Sequence, residues 1–101
     1  MNMQAMMKQV QKMQRDMTKT QEEINNTEFT GKSELVTVIM DGTKKVKSVK
    51  ITAEDLDKDD LEILEDMITI ALNDAIKQID TVTEEKMGAF TKGMPSIPGL
   101  F

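Results

Sequence analysis

The chain has 101 residues, with 13 Lys and Arg against 18 Asp and Glu for a net charge of −5, ten Met, three Phe, and no Cys, His, Trp or Tyr. This length supports one domain at most, since domains commonly run to about 100–150 residues. Lacking Cys, the chain has neither a disulfide framework nor a thiolate zinc site; lacking His as well, it is without the commonest general base and metal ligand, so neither an enzyme nor a resident metal or cofactor is expected.

The charge is unevenly distributed. Residues 1–51 hold nine bases and six acids, net +3, whereas residues 52–101 hold four bases and twelve acids, net −8. Exposed charges are screened over about 8 Å at physiological salt, so a basic surface on one element acts despite acids on another. Lys8, Lys12 and Arg15 interrupt the N-terminal methionines before a membrane span or a signal sequence develops. The expectation is a cytoplasmic protein with no membrane partner and no small-molecule substrate.

In chain order, residues 3–27 lack Gly and Pro and carry apolar side chains at Met3, Met6, Val10, Met13, Met17 and Ile24, with Thr20 at the missing step. Alternating spacings of three and four make a heptad seam, predicting one helix that seeks a partner helix. Methionine adapts to irregular surfaces and specifies register poorly, so this seam is soft. From Phe29 the period becomes strand-like, with segments at Phe29–Lys32, Leu35–Met40 and Val46–Ile51. Asp41-Gly42 predicts a hairpin on the grounds that both residues tolerate positive φ, and Ser33-Glu34 a second turn. In the third strand, simple alternation puts Lys47 on one face with Val49 and Ile51, and Ser48 and Lys50 on the other.

Thr52 to Asp60 reads as an acidic connector with Thr52 and Asp57 as helix N-caps. A long helix over 58–87 follows. Leu61, Leu64, Ile68, Ala71, Leu72, Ala75, Ile79 and Val82 form its stripe, and Ile63, Met67 and Ile70 widen it to an arc of about 200°. A small sheet cannot cover such an arc, and the simplest second cover is another copy of the chain. The expected organisation is therefore α+β: an α-β-β-β-α protomer with a three-stranded antiparallel sheet between long N- and C-terminal helices, in a tight homodimer. Residues 1–27 form an arm, 28–52 the sheet and 58–87 the helix of one domain, and the Gly/Pro-containing residues 88–101 a flexible tail. The dimer interface is assigned to Met6, Val10, Met13 and Met17 of the arm and Leu64, Met67, Ile68, Ile70 and Leu72 of the helix.

Two basic clusters are candidates for chemistry. Lys8, Lys12, Arg15 and Lys19 recur at spacings of 4, 3 and 4, opposite the methionine seam, so one ridge of cations faces outward. Such a ridge suits a row of phosphates, whose neutralisation releases counterions, and equally describes the solvated face of a coiled coil. Lys44, Lys45, Lys47 and Lys50 cluster on the hairpin, where strand lysines also guard against aggregation. Neither cluster has aromatics for stacking single-stranded bases. Asp55, Asp57, Asp59 and Asp66 fall on a calcium-loop template but fail it, with Asp60 at the obligatory glycine and Asp66 in place of the closing Glu. Asp74 lies inside the apolar arc and needs a partner, most simply an ion pair or a backbone donor.

The sequence resembles the YbaB/EbfC family of bacterial nucleoid-associated proteins over nearly its whole length. The resemblance rests on Met6-Met7-Lys8-Gln9 through Met13-Gln14, on Gln21-Glu22-Glu23-Ile24, Thr30-Gly31, Asp41-Gly42, Leu64-Glu65-Asp66-Met67-Ile68, Asn73-Asp74-Ala75, Glu85-Lys86-Met87, Gly93-Met94 and Pro98-Gly99. It implies a homodimer that binds double-stranded DNA, alters its conformation and contributes to nucleoid organisation and gene regulation. Two departures bear on affinity: the chain after Thr30-Gly31 is short, and Lys47-Ser48 stands where many relatives carry Arg-Arg, which weakens a bidentate phosphate grip. Arg15 is the sole arginine, and nothing resembles a recognition helix with Asn, Gln and Arg at base-reading positions. The competing reading is a protein-interaction module in which the methionine seam grips a partner helix and the lysines only solubilise.

Overall fold

The computed structural model describes residues 2–53 and 55–91. Helix α1 (Met3–Asn25) opens on Asn2, whose side chain accepts the Gln4 N–H at 3.0 Å, and closes where the Asn26 N–H bonds the Glu22 carbonyl at 3.0 Å. Strands β1 (Glu28–Lys32), β2 (Val36–Asp41) and β3 (Val46–Ile51) form an antiparallel sheet in that order. One turn of 3-10 helix at Lys58–Asp60 leads into helix α2 (Leu61–Thr91), with the Asp60 carboxylate accepting the Asp57 N–H. The α-β-β-β-α order and α+β class are those the sequence predicts.

Alternation on β1 and β2 places Phe29, Gly31, Val36, Val38 and Met40 on one face, buried beneath Ala71, Ala75 and Ile79 of α2. The packing is close because two small residues of the helix meet the one strand residue that has no side chain. A Cβ at Gly31 would collide with the Ala71 carbonyl and lie 2.7 Å from the Ala75 nitrogen and 2.9 Å from its Cβ. Ser33 then ties the β1–β2 turn to the helix, its hydroxyl donating to the Met67 carbonyl at 2.8 Å.

Of the three strands, helix α2 packs mainly on β1 and β2. All six residues of β3 are exposed. Register pairs Val46 with Met40, Val49 with Val38 and Ile51 with Val36, so these three apolar side chains share the helix-bearing face but extend past the helix that would cover them. A shift of register between Ile39 and Met40 makes Lys47 the extra residue of a bulge. Alternation therefore misplaced Lys47: Val46 takes the inner position, and the Lys47 ammonium lies on the open face, 3.5 Å from Glu28.

The hairpin after Asp41 also differs from expectation. Positive φ falls on Lys44, at 69°, and Gly42 does not need it. A tight turn from Asp41 to Lys44, with the Lys44 N–H on the Asp41 carbonyl at 2.9 Å, ends on this left-handed residue, the common three-residue hairpin loop. Gly42 is required instead by proximity to α1, whose Asn25 carbonyl accepts the Gly42 N–H at 3.3 Å.

The expected end of the long helix at Met87 is corrected as well. Helix α2 continues through Gly88 to Thr91, because one glycine in a helix costs only about 1 kcal/mol and the run on either side is helix-forming. The remainder of the expected tail, 92–101, lies outside the described residues. The described residues extend over 71 × 25 × 15 Å, with α1 leading away from the sheet rather than folding over it.

Candidate nucleic-acid interface

Lys8, Lys12, Arg15 and Lys19 are all exposed on α1. From Lys8 to Lys19 the ridge measures about 16 Å along the helix, a length over which duplex DNA presents roughly ten phosphate charges on its two strands. Among the described residues there are two ion pairs, Lys44 with Asp80 at 3.0 Å and Lys47 with Glu28 at 3.5 Å, so the arm cations are unpaired whereas half of the hairpin cluster is partly neutralised. The hairpin turn lies at the base of α1, about 9 Å of helix from Lys19 and about 25 Å from Lys8.

Lys32 is a cation that belongs to neither cluster predicted from the sequence. Register aligns Lys32, Thr37 and Lys50 in one row across the open face of the sheet, and neither lysine is ion-paired. The signal was the alternation of β1 itself, in which Gly31 faces the helix and Lys32 must face away.

Burial along the methionine seam is graded. Met3, Met6, Met7 and Val10 are exposed, Met13 and Met17 half-buried, and Ile24 buried. Helix α1 contacts α2 within the same protomer, so the base of the seam finds a helical partner in its own chain and the tip does not. Of the α2 residues assigned to the dimer interface, Leu64, Met67, Ile68 and Leu72 pack half-buried against the protomer's own core, whereas Ile70 is exposed.

Asp74 finds a partner in the sheet. Its Oδ2 accepts the Lys32 backbone N–H at 2.9 Å, and one turn later Gln78 donates from Nε2 to the Thr30 carbonyl at 2.8 Å. Together they occupy two outward backbone groups of edge strand β1, the Lys32 N–H and the Thr30 carbonyl, which could otherwise pair with another chain. Strand β3 forms the other edge of the sheet, and the uncovered apolar face belongs to that strand. Ile63 and Ile70 do not extend that patch: at 100° per residue they lie within about 40° of Asp74, on the β1 flank of α2.

The Lys32 N–H holds the Asp74 carboxyl below the usual carboxylate range, helped by the Gln78 side chain and, to a lesser extent, by the Lys77 charge, against an opposing desolvation. Asp41 is lowered by the Thr43 hydroxyl, then by the Lys45 and Thr43 backbone N–H groups. A depressed folded-state value means stability that is present above the unfolded pKa and is lost as pH falls through the folded one. Stability is thus expected to decline below about pH 4, near the unperturbed carboxylate value. Asp74→Asn, which keeps an acceptor oxygen without the charge, should flatten that acid limb in urea melts recorded across pH 2–6. An unchanged limb would exclude Asp74 as a contributor.

Among the described residues no helix is long and apolar enough to cross a membrane. Residues 1–94 match the YbaB/EbfC DNA-binding family. The chain is 55% identical over 97 residues to a nucleoid-associated protein of Lactococcus lactis subsp. cremoris (strain MG1363), covering 94% of this chain and 98% of that protein. It is 45% identical over 96 residues to one of Enterococcus faecalis (strain ATCC 700802 / V583), covering 93% and 92% respectively. The crystal structure of an uncharacterized protein, HP0035, from Helicobacter pylori is similar with a TM-score of 0.65 at 22% identity, over 93% of this chain and 99% of that one, which shows a shared fold.

Proposed function

The chain belongs to the YbaB/EbfC DNA-binding family, and from that premise we propose that it binds double-stranded DNA as a homodimer, chiefly through Lys8, Lys12, Arg15 and Lys19, alters DNA conformation, and contributes to nucleoid organisation and gene regulation in the bacterial cytoplasm. The observation that carries this reading is the exposed ridge of four unpaired cations on a helix that leads away from the body. Lys44, Lys45, Lys47 and Lys50 are secondary contacts, weakened by Asp80 and Glu28, and Lys32 joins Lys50 on the open face of the sheet. Contacts of this kind position a protein on the phosphate backbone and read little sequence.

Dimerisation is supported by apolar surface that one protomer leaves uncovered. Val46, Val49 and Ile51 are 42%, 47% and 40% exposed beside an unpaired strand edge. In the described protomer a carboxylate at Val49 meets solvent, but in a dimer formed on this face it would be buried without a partner, at a cost of several kcal/mol. Val49→Asp is accordingly expected to sediment as a folded monomer at micromolar concentration. A Val49→Asp protein that remains dimeric would move the interface to the arm seam and α2 flank, at Met6, Val10, Met13, Met17 and Ile70.

The DNA reading is tested by titrating a duplex at several salt concentrations. A dimer offers eight arm cations, and if four to six reach phosphates, log K falls against log salt with a slope of about −4 to −5. Binding that is absent at low salt, or independent of salt, would favour the other reading, in which exposed Met3, Met6, Met7 and Val10 receive a partner helix.

A further inference from the structure

We propose that the β2–β3 turn is a strut that sets the angle of the α1 arm, so that Gly42 and Asp41 are positioning residues for the cations on that arm. The turn sits between the two helices. On one side Gly42 abuts the last residues of α1, its N–H donating to the Asn25 carbonyl; a Cβ there would collide with the Ile24 carbonyl, 2.5 Å from its carbon and 2.9 Å from the Asn25 Cα. On the other side Lys44, at φ 69°, reaches Asp80 of α2 at 3.0 Å.

The turn is made rigid from within. The Asp41 Oδ1 accepts the Thr43 N–H at 2.9 Å, the Thr43 hydroxyl and the Lys45 N–H at 3.2 Å, while the Asp41 N–H bonds the Lys45 carbonyl at 3.0 Å. One carboxylate thus organises a loop that holds no core residue. Ile24, beside Gly42, is 1% exposed, whereas α1 beyond Met13 is open to solvent toward its N-terminus. A small displacement at this base is therefore carried along about 30 Å of helix to Met3, and moves Lys8 and Lys12 through a wider arc than Lys19. The consequence for DNA rests on the function proposed above; the strut itself does not.

The test reads the arm directly. The chain has no Cys, so Gln4→Cys and Ser48→Cys admit a donor and an acceptor dye in one protomer, diluted into excess unlabelled protein. Single-molecule energy transfer without DNA should give one narrow distance for the otherwise unaltered chain. Gly42→Ala should shift it and broaden it at least about twofold, as expected of an element released from a packed contact. Asp41→Ala, which removes only hydrogen bonds of an exposed loop, should broaden it with the core intact, and it decides the matter if Gly42→Ala does not fold. An unchanged, narrow distance in either folded variant overturns the strut. With DNA, the same variants should alter duplex compaction per bound dimer while low-salt affinity stays within about threefold, since all four arm cations remain. Altered arm distances with unaltered compaction would overturn the positioning role. If the unaltered chain does not bind DNA at all, the DNA reading fails by itself, and the distances still decide the strut.

Discussion

Gly31→Ala is expected to destabilise the protomer by about 3 kcal/mol, the upper range for overpacking a filled core, and to lower Tm by roughly 12–20 °C in a domain of this size. The added methyl would collide with the Ala71 carbonyl and the Ala75 backbone and side chain, and the atoms in its way belong mostly to a helix backbone, which cannot turn aside as a flexible side chain would. Relief requires moving α2 off β1. That displacement stretches the Asp74 bond to the Lys32 N–H and the Gln78 bond to the Thr30 carbonyl, so the edge of β1 loses its cover along with its packing. Gly88→Ala is the control. Its Cβ meets nothing within 4 Å, and replacing a helical glycine with alanine should stabilise by up to about 1 kcal/mol. Thermal melts of the two variants separate the close approach at Gly31 from any general intolerance of alanine, and equal Tm for Gly31→Ala and the unaltered chain would refute the close-packing account.

The second large effect is electrostatic. Lys8→Ala with Lys12→Ala removes four charges per dimer from the exposed ridge, and each phosphate that is no longer neutralised should make the salt slope shallower by about 0.9. At low salt the double variant should bind duplex DNA at least about tenfold more weakly, with little change of preference among sequences, because phosphate contacts position rather than specify. The fold should be untouched, since both lysines are exposed and neither is ion-paired. Lys44→Ala with Lys45→Ala provides the comparison. Lys44 already shares its charge with Asp80, so this pair should flatten the slope less. The reverse ranking would move the principal DNA-binding surface to the hairpin.

The elements themselves were legible because each carries its own period. The heptad spacing of Met3 through Ile24, the alternation in Val36–Asp41 and the apolar stripe of the long helix are properties of local chain geometry, and the α-β-β-β-α order follows from reading them in sequence. The basic ridge was legible for the same reason: Lys8, Lys12, Arg15 and Lys19 share a face of any helix that contains them. The family resemblance rested on Thr30-Gly31 and Asn73-Asp74-Ala75 as patterns, without a reason for them.

Tertiary structure supplied that reason, because it brings together residues forty or more positions apart. Gly31 meets Ala71 and Ala75, and Asp74 and Gln78 bond the outer side of β1, only when strand and helix cross. The bulge at Lys47 and the positive φ at Lys44 arise from how two strands and a turn must fit each other, which alternation along one strand cannot express. The width of the apolar arc on α2 indicated a second cover, but which surface remains open depends on where the sheet ends, and that places Val46, Val49 and Ile51 outside the helix's footprint. What the sequence determined by itself was the periodicity of each element and the sign of its faces, which local geometry sets. What only the folded chain decided was which faces meet, because contact depends on the relative placement of elements, a quantity that no single segment contains.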